Sequence, residues 1–189
     1  MHDEIPDVAG LCGTGPLELG FTIWLTGLPS AGKTTLARLV ATALQQQGLS
    51  VEVLDGDELR RTLTKDLGFS REDRLENIRR IASVAVGITR AGGVAVVAAI
   101  TPYAAARADA RKTIGRFVEI YVRCPLVVCM QRDPKGLYAK AQRGELQHLT
   151  GLSDPYEEPV NPDVIVDTDR TDTAQCVETI LRCLSTIQR

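Results

Sequence analysis

The run "GLPSAGKTT", Gly27 to Thr35, sets two glycines, a lysine and a threonine at the spacing G-x-x-x-x-G-K-[ST]. Through Gly27, Leu28, Pro29, Ser30, Ala31 and Gly32, such a loop can curl backbone N–H groups around phosphate oxygens at the positive end of a helix. Lys33 would add a point charge for β- and γ-phosphates, and the Thr34 hydroxyl can ligate Mg²⁺, with Thr35 in the same nucleotide-binding set. A Gly-rich turn without function is the bland alternative. Against it, a strand-like run precedes the loop and an amphipathic helical pattern follows, the context that the motif requires.

A second group of chemical residues lies in "VEVLDGDELRR", residues 51–61. Asp55 would stand near Mg²⁺, holding a metal-bound water or accepting a proton from an attacking hydroxyl. Asp57 would share that task or N-cap the helix that follows. Arg60 suits an anion, because a guanidinium makes bidentate contacts with phosphate or sulfate. In "SREDRLENIRR", Arg74, Asn77 and Arg80 recur at three-residue intervals, so neighbours in the series share a helix surface. Arg61 and Arg79 read as solvated charges. Carboxylates and arginines beside a phosphate loop suggest a kinase for a small anionic acceptor. A GTPase switch does not fit: the guanine-reading N-K-x-D is absent, and "DVAG" at 7–10 precedes the phosphate loop.

The elements that must position these groups alternate along the chain. Short β-branched runs fall at 21–26, 51–55, 94–100, 117–122 and 163–167, and the 94–100 run is apolar throughout, as for a strand covered on both faces. Helical patterns lie between them: Leu36, Leu39, Val40, Ala43 and Leu44 share one face with Gly48 as the stop, "SRED" opens a helix over 70–90, and others fall near 103–114, 125–131 and 172–187. This alternation predicts an α/β three-layer P-loop NTPase fold, a parallel sheet with helices on both faces. Ligands in such sheets sit beyond the carboxyl ends of the strands, so the phosphate loop and "DGDELRR" would face one cleft. Residues 1–20 read as a flexible leader and 21–189 as one kinase domain. A polar excursion at about 134–160 reads as an active-site lid.

The formal net charge of −2 gives no global case for nucleic-acid binding, so any anion site must come from a local basic cluster. Five cysteines without a C-x-x-C pair fit reduced thiols, with Cys129 and Cys183 in apolar surroundings. Neither a secretory signal nor a membrane-spanning run is present, and a cytoplasmic protein is expected.

The segments "LDGDELRRTLTKDLGFSREDRLENIRR", "TPYAAAR", "QRDPKGLYAKAQRGE" and "TGLSDPYEEPVNP" together resemble the adenylylsulfate kinase (APS kinase) family, from about Phe21 to Asp167. The resemblance implies phosphorylation of the 3′-hydroxyl of adenosine 5′-phosphosulfate by MgATP. It also implies roles. Lys33 and Thr34 look like triphosphate and Mg²⁺ contacts, Asp55 like the metal-linked carboxylate or base, with Asp57 beside it. Arg60, Arg74 and Asn77 look like acceptor contacts, Phe69 like an adenine-stacking ring, Lys135 like a lid residue and Arg132 like a contact to the ATP adenine. A homodimer and an ATP sulfurylase as functional partner go with the family.

Three positions depart from its pattern. Thr101, after Ile100, replaces a serine sometimes given a phosphoenzyme role; with Pro102 it also reads as an N-cap. Leu149 stands where the lid usually has phenylalanine, and Ala104 where arginine is common. Leu149 and Thr101 motivate one alternative, a sister kinase for another nucleotide-like acceptor such as a nucleoside diphosphoramidate. A second, of another class, is a non-catalytic nucleotide-binding regulatory subunit, against which the intact "GKTT" and "DGD" speak.

Overall fold

Six consecutive buried residues, Phe21–Thr26, form the central strand β1. Alternation decides their use: Phe21, Ile23 and Leu25 pack into one apolar layer, Trp24 into the layer on the opposite face. Each such buried side chain is worth about 1.5–3 kcal/mol. The computed structural model describes residues 20–187, so the expected leader lies outside the described residues except for Gly20.

In chain order the elements are β1, α1 (Lys33–Gln46), β2 (Val51–Asp55), α2 (Gly56–Arg61), α3 (Arg71–Arg90), β3 (Val94–Ala98), α4 (Ala104–Ile114), β4 (Phe117–Arg123), α5 (Leu126–Arg132), α6 (Leu137–Gln142), β5 (Val164–Asp167) and α7 (Thr173–Ile187). All strand pairs are parallel, in the order β2-β3-β1-β4-β5. Helices α1 and α7 cover one face, α3 and α4 the other. The expected three layers are present.

Register places the chemistry. Leu25 pairs with Ala98, and Ala98 with Asp55, so β1, β3 and β2 end level. The loops after these three strands therefore emerge side by side. After β1 the chain enters α1 on one face, and after β3 it enters α4 on the other, which opens a crevice at that edge.

Boundaries differ from expectation in small ways. Strand β3 stops at Ala98 rather than Ile100, and β5 begins at Val164 rather than Asp163. The Ala99 amide still donates to Leu25 O (3.2 Å), but by Thr101 the backbone has φ +46°, which no strand can continue. Ser70 caps α3 as "SRED" suggested, accepting from the Asp73 amide at 3.1 Å.

Candidate active site

Glycine makes the phosphate loop possible in two ways. Gly32 sits at φ +100°, in the left-handed region, and a Cβ on Gly27 would meet Val122 O at 2.4 Å. Lys33 is buried and folds its Nζ back onto Gly27 O (2.9 Å) and Leu28 O (2.7 Å). Burial lowers its pKa to about 8, against the opposing pull of Asp57. Pro29, Ser30, Gly32, Lys33, Thr34 and Thr35 line a cleft of about 1090 Å³. Leu28 turns to a separate depression and Ala31 into the core, where its carbonyl accepts from Thr168 Oγ1 at 2.9 Å.

Asp55 ends β2 with both carboxylate oxygens engaged. Oδ2 accepts from Thr34 Oγ1 at 2.7 Å, and Oδ1 from the Asp57 amide at 2.9 Å. Burial opposes its charge, but the hydrogen bonds from Thr34 and from the Asp57 and Glu58 amides, with Lys135 nearby, hold its carboxyl below the usual range. Asp55, not Asp57, is thus the N-cap of α2, which corrects the capping alternative for Asp57. Asp57 is exposed at the cleft mouth and ion-pairs with Lys135 on the facing segment.

At the far end of the cleft, Arg60 and Arg74 flank the half-exposed Phe69, with guanidinium carbons 4.7 and 5.8 Å from the ring centroid. Burial and the neighbouring Arg74 charge disfavour a second cation at Arg60, a setting that welcomes an anion. Arg60 donates to Gly68 O at 2.7 Å. Asn77 is buried and accepts from Thr64 Oγ1 at 2.8 Å, while its Nδ2 has no hydrogen-bond partner among the described residues. Arg74 is largely spent on structure: it donates to Phe69 O (3.0 Å), Thr150 Oγ1 (2.8 Å) and His148 O (2.5 Å), and pairs with Asp154 at 2.7 Å. Arg80 lies outside the cleft lining, on Glu76 and Asp66. Seven basic against three acidic residues line the cleft, so the local basic cluster exists in a chain of net charge −2.

The excursion after α5 forms one wall. Pro134, Lys135, Leu137 and Leu146 to Thr150 line the cleft, and Leu149 is otherwise buried against the core. Arg132 reaches the cleft edge but is tied to Thr168, through Oγ1 at 3.1 Å and O at 2.5 Å. Ile100 and Thr101 line the floor. The N-cap reading of Thr101 is overturned: α4 starts at Ala104 with Tyr103 as its N-cap residue, and the Ala104 amide donates to Glu157 Oε2 at 2.7 Å. Thr101 Oγ1 is buried and accepts from Trp24 Nε1 at 2.9 Å.

A phosphate loop, a carboxylate pair and an arginine-flanked ring thus face one cleft. The family model for adenylylsulphate kinase matches residues 19–167. The chain belongs to the adenylylsulfate kinase family. Membership carries the family's activity, ATP-dependent phosphotransfer to adenylyl sulfate. The adenylyl-sulfate kinase of Synechococcus sp. (strain JA-3-3Ab) is 52% identical over 165 residues, 87% of this chain and 94% of that protein. A probable adenylyl-sulfate kinase of Synechocystis sp. is 55% identical over 152 residues, covering 80% and 86%. Among solved structures, the APS kinase of Mycobacterium tuberculosis in complex with AMPPNP and APS superposes with a TM-score of 0.85 at 44% identity, covering 88% of this chain and 98% of that one.

Several residues of the site carry no local signal in the sequence. Tyr138 supports the phosphate loop through Pro29 O (3.1 Å), Thr168 through Ala31 O, and Asp154 and Thr150 hold Arg74. Their partners lie far along the chain. Tyr138, Thr150 and Asp154 do fall within "QRDPKGLYAKAQRGE" and "TGLSDPYEEPVNP", segments that carry the resemblance, whereas Thr168 lies outside them.

Proposed function

We propose that this chain transfers the γ-phosphoryl group of ATP to the 3′-hydroxyl of adenosine 5′-phosphosulfate, giving 3′-phosphoadenosine 5′-phosphosulfate and ADP. One observation carries the reading: the phosphate loop, the Asp55–Asp57 pair and the Arg60–Phe69–Arg74 group face a single cleft. Gly27 to Thr35 would cradle the triphosphate, with Arg132 beside the ATP adenine. Arg60 and Asn77 would meet the phosphosulfate, and Phe69 and Leu149 the acceptor base. Arg74 would act mainly by holding the wall that carries Thr150. Ile100 and Thr101 would offer backbone contacts from the floor, and Lys135 would cover the acceptor as the 134–160 lid closes.

Thr34 and Asp55 are hard oxygen donors 2.7 Å apart beside the loop, a set that fits Mg²⁺ shared with phosphates and water. Bound there, the ion would neutralise charge on the transferring phosphates. Asp55 stays ionised and fully hydrogen-bonded, so it suits that role better than accepting a proton. Asp57 keeps one carboxylate oxygen without a partner among the described residues, and we assign it to orienting the acceptor hydroxyl. Lys33 supplies charge at the β- and γ-phosphates, so catalysis rests on positioning and neutralisation. Thr101 serves by its backbone rather than as a nucleophile, since its hydroxyl is given to Trp24.

The deciding experiment incubates the protein with MgATP and adenosine 5′-phosphosulfate and resolves the nucleotides by chromatography, with Lys33→Ala as control. Stoichiometric ADP and 3′-phosphorylated product are expected. ATP binding without transfer to this acceptor would overturn the reading and turn the search to other nucleotide-like anions.

We extend self-association to the chain as a homodimer, prompted by the solved APS kinase of Thiobacillus denitrificans described as hexameric (36% identity). Light scattering showing a monomer would refute it. An ATP sulfurylase would supply the acceptor. None of the described helices is long and apolar enough to cross a membrane. Among the described residues, four free thiols, three of them buried, suit a reducing cytoplasm. Fractionation of cells would test that placement.

A further inference from the structure

The turn from Ala99 to Tyr103 is held in place from behind. Thr101 sits at φ +46°, which a β-branched residue adopts only when its surroundings impose it. Three buried donors do so: Thr26 Oγ1 to Ile100 O at 2.6 Å, Trp24 Nε1 to Thr101 Oγ1 at 2.9 Å, and Arg107 Nη1 to Thr101 O at 2.8 Å. Arg107 is 4% exposed and does more than this. Its Nη2 donates to Glu157 O at 2.6 Å, and its Nε lies 3.0 Å from Glu119 Oε1 on β4, an ion pair without hydrogen-bond alignment. Arg111, 3.6 Å away, faces the same Glu119 carboxylate while pairing with Asp163 at 2.6 Å.

Glu157 closes the arrangement. Its amide donates to Pro102 O at 2.8 Å and its carboxylate accepts from the Ala104 amide at 2.7 Å. Tyr156 adds a contact, its hydroxyl 3.0 Å from Thr26 Oγ1. The distal end of the 134–160 segment is thus fastened to the cleft floor at several points, and the Arg107 guanidinium touches floor, segment and sheet together. None of these hydrogen bonds ends on a residue of the phosphate loop, whose first glycine directly follows Thr26.

We infer that Arg107 is a positioning residue for the acceptor side of the reaction: it fixes the strained Thr101 backbone and the distal end of the lid segment as one unit. Its Nη1, Nη2 and Nε face three separate partners, two hydrogen-bond acceptors and one carboxylate, which a planar fork can serve and a lysine ammonium on a flexible stem cannot match. The kinetic part of the inference rests on the proposed acceptor; the structural part does not.

Two variants test it. Arg107→Lys keeps the charge opposite Glu119, and Arg107→Met with Glu119→Gln removes both charges so that none is left buried alone. In steady-state assays varying each substrate, both variants are expected to lose about tenfold or more in kcat/KM for adenosine 5′-phosphosulfate, with the KM for ATP unchanged. Amide hydrogen exchange should quicken at 99–104 and 154–158 but not in the phosphate loop. Unaltered kinetics in a folded variant, or an equal change for both substrates, would overturn the positioning role. Unchanged exchange at the two segments would overturn it whatever the acceptor. Wild-type protein that does not turn over this acceptor would count against the proposed function alone, and the exchange pattern would still decide the role of Arg107.

Discussion

At the nucleotide end of the cleft, the contacts of the charged side chain are short in sequence, Lys33 returning to Gly27 and Leu28, although Tyr138 and Thr168 support the loop backbone from far along the chain. At the acceptor end they are long: Arg74 reaches Thr150 and Asp154, Lys135 reaches Asp57, and Trp24 reaches Thr101. A compact loop can be changed without disturbing the rest of the fold, whereas the acceptor wall is itself part of the fold's cross-links. Chemistry and stability should therefore separate at the first end and move together at the second.

The largest effect is expected from Lys33→Ala. Turnover should fall by about 10²–10³-fold, as when one charge-stabilising donor is lost. The melting temperature should hold, because the lysine's buried charge is not a source of stability. A collapse in thermal stability would break the contrast between the two ends. Arg74→Met should do the opposite. It leaves Asp154 without its buried partner, at a cost of about 3 kcal/mol, or ~6–12 °C in Tm for a domain of this size. The acceptor KM should rise with it and the ATP KM should not, as thermal scanning and paired kinetics would show.

The pH dependence sharpens the same contrast. Lys33 is charged below its pKa of about 8, so kcat/KM for ATP should fall about tenfold per unit above that pH. Its stability term runs the other way. The folded value lies below the unfolded one, so between about 8 and 10.5 the unfolded chain holds more protons and stability rises with pH. Activity falling while Tm holds or climbs would bear this out. Parallel loss of both would not. The smallest catalytic effect is expected from Thr101→Ala. Its hydroxyl partners Trp24, so kcat should stay within about threefold while stability drops by roughly 1–3 kcal/mol from the orphaned indole N–H. Abolished turnover in a folded variant would make Thr101 a nucleophile after all.

The same contrast explains what the sequence made legible. The central strand at 21–26, the phosphate loop, the Ser70 cap and the level ends of three strands follow from local pattern and parallel topology. Asp55 and Asp57 were read as a pair, but which one caps α2 depended on backbone direction at the end of β2, and that a two-residue spacing does not fix. Thr101–Pro102 had the residue types of a helix start, yet Trp24 and Arg107 take up its hydroxyl and carbonyl, and Glu157 meets the helix amide instead. Tertiary partners overrode a correct local preference. Arg107 was one arginine among several on a helix, and nothing within a turn of it marks Glu119 or Glu157 as its partners.

The close approach of Gly27 to Val122 also bears on how the protein is made. Strand β1 pairs with β3 and β4, so one side of the phosphate loop rests on a segment synthesised roughly 95 residues later. At cellular elongation rates that delay is on the order of 5–20 s. A nascent chain that ends before Val122 lacks the strand against which Gly27 of its phosphate loop rests. ATP, which stabilises whatever folded form it binds, can then favour only chains that have already paired β4.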